Sequence, residues 1–262
     1  MYPGAQETPW KVVRAFPLDD GAALVHLHNV SGGVLAGDGL SLDVEVEPEA
    51  RAQITSTGAT RLYRPRPGMA DSEQDISIFV AEGGLLEYLP DALIPYAGSR
   101  HRQRTRIELA EGAVLFAWEI VAPGRQAMGE RFGFESLRIQ TRIESLLRPI
   151  LLEDFLLEPG VRPLASPARL GDYTHTASFY VIQVGRSAAD LRELEARLSE
   201  IAARESRRGC TIWGASALAS DGVIVRGLSA TSRDLPATLA GFWSTAKRFL
   251  TGGEAVPPRK LK

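Results

Sequence analysis

Residues 29–46 read NVSGGVLAGDGLSLDVEV. The second half decides the secondary structure. Leu40, Leu42, Val44 and Val46 alternate with Ser41, Asp43, Glu45 and Glu47, the period of two that a half-buried strand requires. The first half gathers Gly32, Gly33, Gly37 and Gly39 around Asp38. A phosphate loop needs a lysine among its glycines and a helix after them. This loop has no lysine and runs into a strand, so the phosphate readings fail. Asp38 keeps two readings: an acceptor of backbone N–H groups within a turn, or a functional carboxylate.

The same period continues outward from this stretch. Ile76, Ile78 and Val80 repeat it, as do Val114, Phe116, Trp118 and Ile120, and Leu137, Ile139, Thr141 and Ile143. Turn signals separate the runs, at Glu82-Gly83-Gly84, Ala110-Glu111-Gly112, Pro123-Gly124 and Pro159-Gly160. About ten short strands of this kind predict a mainly β body, as a sandwich, a barrel or a β-helix-like coil. The sequence has no fixed-period repeat, which speaks weakly against a regular solenoid. The last third changes character. Ser187 and Asp190 resemble a capping box, and Leu191, Leu194, Leu198 and Ile201 follow at helical spacing, predicting a helix over about 188–206. Two strands are expected around 210–217 and 222–228, then a second helix over 232–250 stopped by Gly252-Gly253. The division expected is one β-rich domain over residues 1–256 and a short, basic, disordered tail over 257–262.

Composition excludes several classes. The 262 residues carry a net charge of -2 with a pI near 6.1, so no global field draws nucleic acid or acidic lipid. The single cysteine, Cys210, has no partner for an internal disulfide. Residues 1–20 lack the pattern of a signal peptide, and no apolar run reaches the roughly 18 residues that cross a bilayer. A cytoplasmic protein is expected.

Candidate chemistry is sparse. His26 and His28 stand two apart and share one strand face, so they offer two ligands to a metal or stand as plain strand histidines; a third ligand at recognisable spacing is missing. No nucleophile elbow or other catalytic signature is present. The stretch SRHRQRTRIE aligns Arg100, Arg102, Arg104 and Arg106 along one strand face. Phosphate tracking, a charge ladder against rows such as Asp43, Glu45 and Glu47, and an acidic protein partner all fit that stripe. The absence of interleaved aromatics favours the ladder or the partner. A carbohydrate-active enzyme with paired carboxylates is a weaker alternative, because aromatics make up only 7% of the chain.

Four segments, in order, carry a resemblance: SGGVLAGDGLSLDVEV, TSTGATRLYR, LLEYLPDALIPYAGSRHRQRTRIEL and FAWEIVAPGRQAMGERF. Together they resemble the urease accessory protein D family (UreD, or UreH), over about residues 10–160. Val30-Ser31 stands where the family often has two prolines, and Arg61 where lysine is frequent. The resemblance implies a β-rich coil with two helices and a non-enzymatic role. It implies a scaffold chaperone that binds apo-urease, a UreF-like adaptor and a UreG-like GTPase, with transient nickel and no tightly bound cofactor. A nickel conduit wants oxygen donors that release the ion again. Within the matching segments, the residues expected to line such a path are Asp38, Thr57, Thr60, Tyr63, Glu87, Glu119 and Glu130. The arginine stripe and the C-terminal helices are the expected docking surfaces.

Overall fold

A computed structural model describes residues 4–146 and 148–258. Strands β1 (Trp10–Pro17) and β2 (Ala23–Asn29) form an antiparallel pair. The chain then coils through β3 (Gly39–Val46), β4 (Arg51–Ser56), β5 (Thr60–Leu62), β6 (Ser72–Val80), β7 (Leu85–Tyr88), β8 (Leu93–Pro95), β9 (Arg100–Leu109), β10 (Val114–Val121) and β11 (Ser136–Ser145). Within the coil, β2, β4, β7 and β10 stack in parallel in a large sheet. The strands β3, β6, β9 and β11 stack in parallel in a smaller one. The short pair β5 and β8 makes a third side. This is a β-solenoid-like winding. It lacks a sequence repeat because the helices cover only part of the outer surface, so the outward phase differs from coil to coil, and connections between coils differ in length.

The winding stops at β11. The strand β12 (Arg148–Leu157) doubles back beside β11, and β13 (His175–Gln183) doubles back beside β10. Helix α1 (Ala188–Glu205) follows, then β14 (Thr211–Ala217) and β15 (Gly222–Ser229), which extend the large sheet, and finally α2 (Leu235–Thr251). Ser187 caps α1 by accepting the Asp190 N–H at 3.1 Å, as the capping pattern predicts. The second helix begins at Leu235, later than the predicted residue 232. Pro236 explains the start, since a residue without an N–H is tolerated only in the first turn. Gly252 closes it in the left-handed conformation. From Arg259 onward the expected tail lies outside the described residues.

Three apolar cores follow. Ile54, Ile76, Ile78, Leu86, Ile107 and Leu115 fill the space between the sheets. Phe116, Phe179, Leu194, Leu198, Phe242 and Trp243 glue both helices to the outer face of the large sheet. Val34, Leu62, Leu93, Val121 and Leu137 pack the third side. At period two, neighbours on one large-sheet strand therefore serve different cores. Leu86 and Tyr88 point between the sheets, whereas Leu85 and Leu89 point at the helices.

Candidate functional site

The inward phase of the coil is apolar at one end and polar toward the other. On β6 the inward residues are Ser72, Gln74, Ile76, Ile78 and Val80; on β9 they are His101, Gln103, Thr105, Ile107 and Leu109. Parallel register stacks like on like: Ser72 opposes His101, Gln74 opposes Gln103, and Thr105 opposes Thr141 of β11. Ser72 Oγ lies 2.9 Å from His101 Nδ1, and burial pushes the His101 pKa down to about 4, so the ring is neutral there.

Glu119 is the centre of this polar region. It lies on the inward phase of β10, after Leu115 and Ala117. Gln103 Nε2 donates to its Oε1 at 3.2 Å, Thr141 Oγ1 reaches it at 3.1 Å, and Tyr180 Oη of β13 lies 2.9 Å from its Oε2. The same Tyr180 hydroxyl lies 2.6 Å from Glu153 Oε2 on β12. Arg226 of β15 donates to the other oxygen of Glu153, at 2.5 and 3.1 Å. Burial pushes the Glu119 pKa up to about 7; the Glu153 charge adds to this, while the Tyr180, Thr141 and Gln103 contacts oppose it.

Two cavities meet at this carboxyl. One of about 510 Å³ opens between the sheets where they part company beyond β10 and β11, lined by Thr141, Glu153, Tyr180 and Arg226 with Phe155 and Ile212 exposed in its wall. The other, about 180 Å³, is lined by Gly32, Gly33, Thr57, Gly58, Thr60 and Gln74, with Thr57 and Gly58 exposed to solvent. Glu119 is the only residue common to both linings among the described residues.

The glycines of the opening stretch have a local explanation. A Cβ on Gly33 would sit 2.4 Å from the Tyr63 ring and 2.6 Å from the Arg61 carbonyl, so only glycine lets these strands close beside the smaller cavity. Gly37 takes φ 81°, and the Leu35 N–H donates to Asp38 Oδ2 at 2.8 Å. Asp38 thus serves the turn; it lines neither cavity.

The remaining expected path residues divide. Thr57 and Thr60 line the smaller cavity. Tyr63 stacks edge-on with Tyr96, and the Arg125 guanidinium lies 4.3 Å from the Tyr96 ring centre. Arg125 also grips Glu130, holding its pKa down to about 2. Glu130 is therefore a firmly ionised, already paired group outside both cavities. Glu87 is not with Glu119 at all. It faces the helices, where Trp243 Nε1 donates at 2.8 Å, Gln53 Nε2 at 2.9 Å, and Lys247 Nζ sits 3.0 Å away. Lys247 also binds Asp20 at 2.9 Å, and Gln53 also reaches the Val256 carbonyl at 3.0 Å. Glu87 is fully buried in that network.

His26 and His28 share the outer face of β2, where His26 packs beside Phe16. Among the described residues, no group of three His, Cys, Asp or Glu side chains is placed to hold a metal ion. The arginine stripe is a ladder. Arg100 pairs with Asp71 at 2.5 Å and Glu135 at 3.2 Å, and Arg104 with Asp75 at 2.6 Å and Glu73 at 3.0 Å, while Arg102 reaches Glu73 only at 3.8 Å. The partners come from the β6 row and its approach, with Glu135 just ahead of β11, and not from Asp43, Glu45 and Glu47, because the winding inserts β6 between β3 and β9. No described helix is long and apolar enough to cross a membrane.

Sequence reasoning missed Tyr180, Glu153 and Arg226. Tyr180 sits in the ordinary strand run HTASFYVIQ, and its meeting with Glu153 depends on two antiparallel registers set after the coil ends.

Comparison with known proteins agrees along the whole chain. A family model described as UreD urease accessory protein matches residues 4–262. The chain is 45% identical over 253 residues to the urease accessory protein UreD of Herpetosiphon aurantiacus, covering 97% of this chain and 88% of that protein. It is 34% identical over 226 residues to UreD of Deinococcus radiodurans, covering 86% and 77%. UreD of Haloarcula marismortui is 30% identical over 239 residues, covering 91% and 77%. The chain belongs to the UreD family of urease accessory proteins.

Proposed function

We propose that this chain is a scaffold for maturing urease that conducts nickel through its own interior to the urease active site. The observation that supports the reading is Glu119, a single carboxyl shared by two solvent-reaching cavities inside a β-coil. Oxygen donors stand in both linings: Thr141, Tyr180 and Glu153 in the larger cavity, Thr57 and Thr60 in the smaller. Such donors hold a borderline divalent ion loosely compared with thiolates or clustered imidazoles, so the ion can move on. In this reading the chain performs no bond chemistry. It holds apo-urease together with a UreF-like adaptor and a UreG-like GTPase that supplies the ion.

Co-expression with urease and both accessory proteins at limiting nickel tests the path. Glu119→Gln keeps the shape and removes the charge. It should lower urease activity and bound nickel together, while pull-down of the partners is retained; full activation would refute the path. The outward arginines are the proposed partner surface in this reading. Arg102→Glu with Arg104→Glu should weaken retention of the complex, and unchanged retention would exclude that surface.

A further inference from the structure

Four connections lead into the smaller sheet, over residues 30–38, 63–71, 96–99 and 122–135. All four arrive at one edge, because β3, β6, β9 and β11 run parallel. They touch in order up the coil. Met69 Cε comes within 3.6 Å of the Cβ position of Gly37, and Arg64 Cβ within 3.6 Å of that of Gly98. The Gly98 N–H donates to the Gly133 carbonyl at 2.8 Å. The edge is braced from inside: Tyr63 and Tyr96 meet edge-on at 5.0 Å, Arg125 lies over Tyr96, and Glu130 accepts from Arg125 and from the Ala97 N–H. Pro65 and Pro67 fix the backbone of the second connection. A surface ordered in advance loses less freedom when it binds.

The carboxylates of these connections are all engaged. Arg100 holds Asp71 and Glu135, Arg125 holds Glu130, and Asp38 accepts the Leu35 N–H. The guanidiniums are not. Arg61, Arg64, Arg66 and Arg131 are exposed, and none pairs with a carboxylate among the described residues; Arg61 reaches the Gly32 carbonyl and Arg131 that of Asp172. Apolar tips stand among them, with Met128 72% exposed, Leu35 48% and Met69 43%. Arginine, methionine and tyrosine are the residues that protein interfaces enrich.

We infer that this edge of the coil is a docking platform for a different protein, one whose contact face is acidic around an apolar centre. The unpaired guanidiniums supply the charge complementarity, and the Met and Leu tips supply the dry contact. A phosphate strand crossing the edge would also meet Asp71, Glu130 and Glu135, which repel it. A second copy offers an exposed acidic row, Asp43, Glu45 and Glu47 on and just past β3, but that row is a different surface from the platform. Such a contact runs head to tail and leaves a pair unclosed. The inference rests on the scaffold reading above, in which this chain holds other proteins, and is independent of the nickel path.

Co-purification of the full chain with urease and both accessory proteins tests the platform. Arg64→Glu with Arg66→Glu alters two exposed side chains and should leave the melting temperature unchanged. It should cut retention of one partner by about tenfold or more, and wild-type retention of that partner should weaken as salt rises. Met128→Ser leaves the charge alone, so it should weaken the same partner without changing the salt dependence. A photoreactive residue in place of Met128 should cross-link to that partner, within a segment rich in Asp or Glu. Full retention of every partner by both variants would overturn the platform while the scaffold reading stands. So would a cross-link to a second copy of this chain, no cross-link at all, or retention that nuclease abolishes. If the wild-type chain retains none of these proteins, the scaffold reading fails and the platform with it.

Discussion

Glu87 and Glu119 lie on neighbouring strands of one sheet, yet on opposite faces, and they show two ways of burying a carboxylate. Glu87 points at the helices and is matched in full by Lys247, Trp243 and Gln53. Glu119 points between the sheets, touches neutral donors and a second carboxylate system, and meets open volume on both sides. The first arrangement ties α2 and the following segment at Val256 to the coil. The second leaves a carboxyl whose protonation costs little near neutrality. A buried charge with a dedicated cation is a structural lock; a buried carboxyl without one is pushed toward its neutral form.

The largest effect should come from breaking the lock. Lys247→Met strands the fully buried Glu87 without its cation, and the penalty for an uncompensated buried charge is about 3–5 kcal/mol. Chemical denaturation should show that loss, along with release of α2 in hydrogen exchange. A loss below about 1 kcal/mol would mean that the two carboxylates are not differently held.

Glu119 should respond with the opposite sign. Glu119 keeps its proton to about pH 7 when folded, against a value of 4.5 when unfolded. As pH rises through that window the unfolded chain releases the proton first, so folding stability falls; below the window there is no effect. Glu119→Gln abolishes the penalty. The variant should match wild type in acid and gain on the order of 2–3 kcal/mol above neutrality. Thermal melts across pH measure this, and a variant less stable at alkaline pH would reverse the comparison.

A smaller effect belongs to Glu153→Gln. Removing that charge should move the destabilising window of Glu119 to lower pH, without creating or abolishing it. The smallest effect is expected at the surface. Arg104→Ala breaks the ion pairs with Asp75 and Glu73, but exposed pairs contribute about 0–1 kcal/mol, and added salt should erase most of the difference.

Much of this was legible in the chain. The alternation in β3, β6, β9 and β11 announced a β body, and Ser187 and Gly252 marked helix ends by capping chemistry that is local in sequence. The site left a fainter trace: Gln74, Gln103 and Thr141 each put a polar side chain where the two-residue period calls for an apolar one, whereas Glu119 falls on the phase opposite Val114, Phe116, Trp118 and Ile120, where a polar residue is expected. The period also separates Glu87 from Glu119, though only once the face of each strand is known. In β7 all four residues are buried, because helices cover one face and the second sheet the other, so alternation is silent there. Lys247 and Trp243 looked like an ordinary helix face.

By itself, the sequence determined the strand period, the turns, both helices and the family, because these depend on neighbours within a few residues or on ordered segments. Only the tertiary structure decided which carboxylate met which partner. Glu119, Tyr180, Glu153 and Arg226 stand on four strands spread over more than a hundred residues and meet through registers fixed by the packing of two sheets. A hydrogen bond acts over about 3 Å, and at such range the fold, not the order of residues, sets the chemistry.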